Sequence, residues 1–411
     1  MNTTKPSYGV LSIPVIVGAL GYFVDIYDLL LFGIIRKPSL ADLGMNAEQI
    51  ATVGEKIISV QMWGLLIGGI LWGVMGDKRG RLSVLFGSII IYSLANIANG
   101  LVVNTTQYAI VRFIAGVGLA GELGAGITLV SELLSKKARG IGTSVVAGIG
   151  ITGAVVAYFI SKEFNWRTCY FIGGGLGLLL LLLRISVFES GMFHEVKKMA
   201  VQRGNFFQFF NNGERFRKYI LSILVGLPTW YVVGVLVTFS DQFAKYMNVQ
   251  GDVQPGKAIM VAYAAIAVGD FLIGFVCQWL KSRKKALYIF YSITIIFLIL
   301  YFMQQGGSAT QMYILCAGLG FGSGFWAVFV TMAAEQFGTN LRATAATTVP
   351  NMVRGSLSWF ILPLFTLLRT NASIGYLHAG IITGVIVMLI TVIAAYFSQE
   401  TFGKDLNYVE A

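Results

Sequence analysis

Six ionisable side chains stand inside long apolar stretches of this 411-residue chain: Asp25, Asp28, Arg112, Glu122, Asp270 and Arg354. A charge at the centre of a membrane helix costs about 2.5 to 3.5 kcal/mol on insertion scales, so each of them needs a partner or a task. Two kinds of chemistry suit these residue types. A carboxylate facing an arginine in a medium of low dielectric releases that arginine when it takes up a proton and recaptures it when the proton leaves, which lets protonation bias a conformational equilibrium. A guanidinium facing a cavity holds a carboxylate or phosphate through paired hydrogen bonds. At a rise of about 1.5 Å per residue, Asp28 and Arg112 come out at similar depth, each roughly 10 Å below the same boundary. A contact between them would be either a switch or a permanently closed structural bridge. Asp25 lies three residues before Asp28 on the same helical face, where it can line the same cavity or share the proton. Asp270 and Arg354 both fall near mid-membrane. Arg354 either binds an anionic substrate or is neutralised by Asp270. Tyr27, Trp63, Trp230, Tyr231, Trp326 and Trp359 can bracket a solute, although most membrane aromatics pack or sit at interfaces.

The elements that must position these side chains follow from composition. Charged residues are only 12% of the chain and hydrophobic ones 56%, against about 25% charged in a typical soluble domain. Apolar runs recur at lengths near the roughly 20 residues needed to cross a bilayer. They predict spans near 10–35, 56–75, 83–103, 106–134, 138–161 and 166–188, then 218–240, 257–280, 286–304, 310–334, 343–368 and 373–398. The net charge of +11 is gathered in short clusters after alternate spans, as at Lys78, Arg79 and Arg81, rather than along one face, which speaks against nucleic acid. Opposite loops carry only scattered bases such as Lys162, Arg167 and Lys245. By the positive-inside rule the clusters, and with them both termini, face the cytoplasm. The expectation is an all-α membrane protein with 12 transmembrane helices in two six-helix bundles, in a plasma membrane, most simply a bacterial inner membrane. Three cysteines in or beside spans give no disulfide framework. The two histidines, His194 and His378, stand near no other metal ligand or nucleophile in sequence, so neither an enzyme nor a cofactor is expected.

The polar interval around residues 191–217 separates an N-terminal bundle, 1–190, from a C-terminal one, 218–411. An internal echo supports duplication. Glu132 precedes Arg139 by seven positions at the end of a glycine-rich span, and Glu335 precedes Arg342 by the same seven. Asp77, Arg81, Glu132, Arg139, Glu335 and Arg342 all fall on the cytoplasmic side, where charge pairs between bundles can form in one state and break in the other. They are candidate gate residues. Gly116 to Gly121 and Gly148 to Gly153 both fit a G-x-G-x-x-G pattern, but they lie inside apolar helices with no preceding strand. They are read as close helix packing rather than nucleotide binding.

Gly73-Val74-Met75-Gly76-Asp77-Lys78-Arg79-Gly80-Arg81 resembles the G-x-x-x-D-[RK]-x-G-R loop of the major facilitator superfamily. Arg112-Phe113 followed by Gly116, Gly118, Gly121 and Glu122 resembles the fourth-helix signature of its sugar-porter and metabolite:proton symporter branches. Glu132 through Arg139-Gly140 is similar to their E-x-x-P-x-x-x-R-G loop, with Ser135 in place of proline, and Glu335 through Arg342 to the equivalent loop, with Gly338 in place of proline. A degraded copy of the Asp77 loop spans Gly274 to Lys285, with Gln278 and no acid. The resemblance implies two bundles rocking around a central site, Asp28 and Arg112 as a proton-coupling pair with Asp28 carrying the proton, and Glu122 lining the cavity or relaying protons. The expected function is proton-coupled symport of a small organic solute, favouring an organic anion because of Arg354, by a monomer in contact with protons, substrate and lipid. Alternatives are a proton-driven efflux antiporter, disfavoured because the glycine run in span five has no proline, and an uncoupled uniporter or exchanger.

Overall fold

The structure is a computed structural model that describes residues 9, 11–134, 136–184, 204–371, 373–404 and 408–410, and of 136–140 the backbone alone. Among these residues twelve helices are long and apolar enough to cross a membrane: α1 (Ile13–Asp42), α2 (Ala47–Arg79), α3 (Arg81–Asn99), α4 (Thr105–Leu133), α5 (Ile141–Glu163), α6 (Trp166–Leu183), α7 (Gly213–Val237), α8 (Pro255–Leu280), α9 (Arg283–Met303), α10 (Ala309–Glu335), α11 (Arg342–Arg369) and α12 (Gly375–Phe397). Each corresponds to one expected span, and the ends differ for local reasons. Asn46 and Gln49 form a reciprocal capping box that starts α2 nine residues before its apolar run. Asn212 accepts from the backbone of Glu214 and Arg215, so α7 starts at Gly213 rather than 218. Asn104, Asn165, Ser282 and Ser308 cap α4, α6, α9 and α10 in the same way. Between α2 and α3 the chain turns on Gly80 alone, at φ 104°, a conformation open to glycine.

The two halves repeat one packing scheme. α2 packs on α4 as α8 packs on α10; α3 packs on α4 as α9 packs on α10; α1 packs on α5 as α7 packs on α11. The close contacts depend on small residues at matching places. A side chain at Gly116 would meet the Gln61 carbonyl on α2, and one at Gly320 would meet the Ala262 carbonyl on α8. The glycine patterns are thus helix packing, as read from sequence. Across the halves α2 lies against α11 and α5 against α8. The perimeter is apolar, with Leu94, Ile110, Leu179, Ile296, Ile314, Leu389 and Trp279 exposed, as a lipid-facing surface requires.

Several spans are interrupted where the halves meet. α4 breaks between Leu119 and Glu122, and α10 between Gly322 and Trp326. α7 widens to a π-turn over Val232–Val237, just after Pro228, and α11 over Leu357–Ile361. These interruptions free backbone groups inside the bundle, and that is where buried side chains meet them.

Candidate functional site

Asp28 on α1 and Arg112 on α4 are fully buried and in contact. The Arg112 Nη1 donates to Asp28 Oδ1 at 2.7 Å and its Nη2 to the Asp28 carbonyl at 3.0 Å, while Nε reaches Gln61 Oε1 at 3.4 Å. The guanidinium also faces the Tyr170 ring at 5.6 Å, and Tyr170 shares a 2.8 Å hydroxyl contact with Tyr108. Among the described residues Asp28 Oδ2 has no hydrogen-bond partner within bonding geometry, and the Asn96 amide lies beside it. Gln61, Asn96 and Tyr170 complete this site, and nothing in their local sequence marks them.

Asp25 departs from expectation. Its Oδ2 lies 3.5 Å from Nη2 of Arg354 on α11, a contact that joins the two halves. Arg354 is therefore not neutralised by Asp270. The Asp270 Oδ1 instead accepts from the backbone N–H of Ala327 at 3.0 Å, capping the second segment of α10, whose own cap residue Phe325 offers no side-chain acceptor. Depth from sequence set Asp270 beside Arg354 and left Asp25 with Asp28. The helix break at 323–325 decided which acid was already engaged.

Glu122 is likewise engaged. It forms a buried ion pair with Arg184 at the end of α6, and Arg184 Nη1 also donates to the Leu85 carbonyl at 2.8 Å. Sequence reasoning passed over Arg184 because it closes a run of leucines at a span end. Glu122 thus ties α4 to α6 within one half rather than facing an open cavity. Among the aromatics, Tyr27 donates to the Cys169 carbonyl at 2.8 Å and Tyr231 to the Gly380 carbonyl at 2.6 Å, so both hydroxyls serve helix packing and not a solute. Trp63 and Trp359 sit on the outer surface. Trp326 and Trp230 remain central. Trp326 lies under Arg354, ring centre to guanidinium 5.8 Å. Trp230 lines a central cavity of about 20 Å³ with Leu29, Gln61, Met62, Ile259 and Leu357, room for about one water molecule.

Both ends of this cavity are bridged between the halves. At the Asp77 end, Asp77 accepts from the backbone of Ala343 at 3.1 Å and Thr344 at 2.8 Å and from the Thr344 hydroxyl at 2.7 Å, supplying the cap that the start of α11 lacks. Arg81 joins Asp77 at 3.5 Å and Glu132 at 2.8 Å, and Arg342 lies 3.7 Å from Glu132 across the halves. Glu335 departs from the expected pattern by pairing within its own half, with Arg283 at 2.7 Å. The Arg139 side chain lies outside the described residues. The opposite end carries bridges that sequence reading missed. Arg369 clasps Glu55 through two 2.9 Å bonds, and Asp241 lies 3.0 Å from Lys37 and 3.8 Å from Arg36. Lys162 donates to Gln254 at 3.0 Å. Among the described residues, polar bridges thus join the halves at both ends, with the buried charges between them.

Residues 18–363 match the family model described as the Major Facilitator Superfamily. The niacin transporter NiaP of Acinetobacter baylyi is 24% identical over 95% of this chain and 94% of its own length. The gentisate transporter of Corynebacterium glutamicum is 23% identical over 80% of this chain and 75% of its own. The solved structure of the proton:xylose symporter XylE shares the fold with a TM-score of 0.77 at 16% identity, covering 96% of this chain and 97% of that one.

Proposed function

This chain belongs to the major facilitator superfamily and is a multi-pass transporter of small organic solutes, and from that premise we propose that it couples uptake of an organic anion to protons. The observation that carries the reading is the Asp28–Arg112 contact, wholly buried and joining α1 to α4 at 2.7 Å. With Asp28 ionised, its carboxylate and carbonyl hold Arg112 against α1. With Asp28 protonated the charge attraction is gone, only the Asp28 carbonyl, Gln61 and the Tyr170 face still hold Arg112, and α1 is bound less tightly to α4. A proton on Asp28 thereby changes the relative stability of the outward- and inward-facing forms, which is the requirement for coupling.

The preference for an anion rests on Arg354, a buried guanidinium at the junction of the halves. Relatives named for niacin and gentisate handle aromatic carboxylic acids, and the Trp326 ring beside Arg354 suits a planar ring attached to a carboxylate. In this reading the Asp77 end is cytoplasmic, as its basic loops suggest, and the Glu55–Arg369 end faces out of a bacterial inner membrane. The inner gate is the cluster of Asp77, Arg81, Glu132 and Arg342. The halves divide as 1–190 and 218–411 about a cytoplasmic connector. The test is uptake of radiolabelled nicotinate, gentisate and benzoate by proteoliposomes, with and without an inward proton gradient. Gradient-stimulated uptake of at least one acid supports the reading; uptake indifferent to the gradient overturns it.

A further inference from the structure

The two buried aspartates of α1 hold their arginines very differently. Arg112 grips Asp28 with bonds of 2.7 and 3.0 Å. Arg354 touches Asp25 only at 3.5 Å, with a second 3.5 Å contact to Asn351 on its own helix. Charge-assisted hydrogen bonds normally close to about 2.7 to 2.9 Å. The Arg354 Nε and the Asp25 Oδ1 have no hydrogen-bond partner among the described residues, although both residues are at most 1% exposed. Donors are left over on one side and acceptor capacity on the other. A planar carboxylate reaching Arg354 along the edge that carries its unpartnered Nε can make the two short bonds that Asp25 does not make.

The surrounding charges are already committed. On α1 Asp28 has Arg112, on α4 Glu122 has Arg184, and on α8 Asp270 caps Ala327 while Tyr263 and the α1 residue Tyr22 bring neutral hydroxyls near Arg354. Asp25 therefore depends on Arg354 alone for a countercharge among the described residues. If Arg354 turns to another anion, Asp25 is left as an unpaired carboxylate in a dry interior among two other acids, a state that proteins avoid by protonation.

We propose that Asp25 and the carboxylate of the transported solute are alternative counterions of Arg354, so that solute binding and protonation of Asp25 are one event. The proposal rests on the organic-anion reading above and adds a second protonation site to it. The charge balances in both states. Empty, Arg354 is matched by the Asp25 carboxylate; loaded, it is matched by the solute carboxylate, while one proton from water sits on an Asp25 oxygen. The same exchange breaks the Asp25 link between α1 and α11 and replaces it by one through the solute, so an empty carrier and a loaded one are joined at the same point.

The test is binding of nicotinate and benzoate, with the neutral amides nicotinamide and benzamide as comparators, to the full chain in nanodiscs between about pH 5 and about pH 9, together with calorimetry in buffers of different ionisation enthalpy to count protons taken up. For the wild type the acids are expected to bind with a Kd that rises about tenfold per pH unit on the alkaline limb, with proton uptake on binding. Asp25→Asn is expected to flatten that slope, to tighten acid binding at alkaline pH about tenfold or more, and to remove one proton from the count. The double variant Asp25→Asn/Arg354→Gln leaves no unpaired buried charge, and it is expected to melt near the wild-type temperature while losing its preference for acids over amides. Acid binding by wild type with an unchanged slope and proton count in Asp25→Asn overturns the exchange and leaves the organic-anion reading standing. Wild-type protein that binds neither acid at any pH overturns both.

Discussion

With the Glu55–Arg369 end facing outward, as proposed above, this bridge between α2 and α11 favours a closed outer face. Glu55 and Arg369 meet through two 2.9 Å bonds, and their side chains are about a fifth exposed, 22% and 23%. A pair of this kind lies between fully exposed bridges, worth about 0 to 1 kcal/mol, and buried ones. Its bidentate geometry and the Phe365 ring 5.3 Å from the guanidinium argue for roughly 1.4 kcal/mol of net preference for the closed outer face. Glu55→Gln removes the charge attraction while leaving Arg369 access to water, so the ratio of closed to open molecules should fall about tenfold. The assay is the labelling rate of Met62→Cys, which lines the central cavity, by an impermeant maleimide added from the outer side, in a background where Cys169, Cys277 and Cys316 are replaced by serine or alanine. While the open form is a minority, labelling tracks its population and should quicken about tenfold. A rate unchanged by Glu55→Gln would show that the bridge does not hold the outer face, and with it the reading of this end as a gate would fail.

At the other face, Asp77→Asn removes the charge that caps α11 and holds Arg81. With helix-terminus charges worth about 0.3 to 1 kcal/mol, outer labelling of Met62→Cys should slow a few-fold as the inner face opens. Glu122→Gln strands Arg184 in the bundle, so it should lower stability by about 3 to 5 kcal/mol, and adding Arg184→Met should restore much of the loss; thermal unfolding of the purified variants checks both. Burial pushes Glu400 up, but hydrogen bonds from the Ser282 hydroxyl and from backbone N–H groups of Phe402, Arg283 and Lys284 outweigh it and hold its carboxyl below the ordinary range. A depressed folded-state value means that the stability it contributes is present above its unfolded value, near pH 4.3, and is lost as pH falls through the folded value. Glu400→Gln should accordingly melt lower than wild type at neutral pH, with the difference shrinking under acid, as read from melting curves across pH.

Much of this architecture was legible because membrane physics is written in runs. Twelve apolar stretches gave twelve helices, and the seven-residue echo of Glu132 to Arg139 in Glu335 to Arg342 pointed to a duplication that the matching helix contacts of the two halves display. Counting depth put Asp28 and Arg112 at one level, since a helix rises by a fixed amount per residue, and the resemblance to the sugar-porter branch paired them. Depth does not give facing, and that is where the reading failed. Asp270 was the acid that depth set beside Arg354, and only the break in α10, with its uncapped N–H groups, shows why Asp270 is committed elsewhere. Arg184 hid at the edge of a leucine run. Glu55 in the first turns of α2 and Arg369 at the end of α11 are 314 residues apart, and no local pattern joins them. Tyr27 and Tyr231 were aromatic in plausible places, but their hydroxyls found backbone carbonyls, as buried phenols usually do.

The central claim is that Asp28 carries a proton with each solute, and the most direct measurement is the number of protons entering per molecule taken up. It compares a pH-sensitive dye inside proteoliposomes with radiolabelled acid uptake, for wild type and for Asp28→Asn. The account gives a wild-type ratio of at least one and a ratio lower by one in the variant. An Asp28→Asn protein that transports with the wild-type ratio, or a wild type that moves solute with no proton at all, would contradict it.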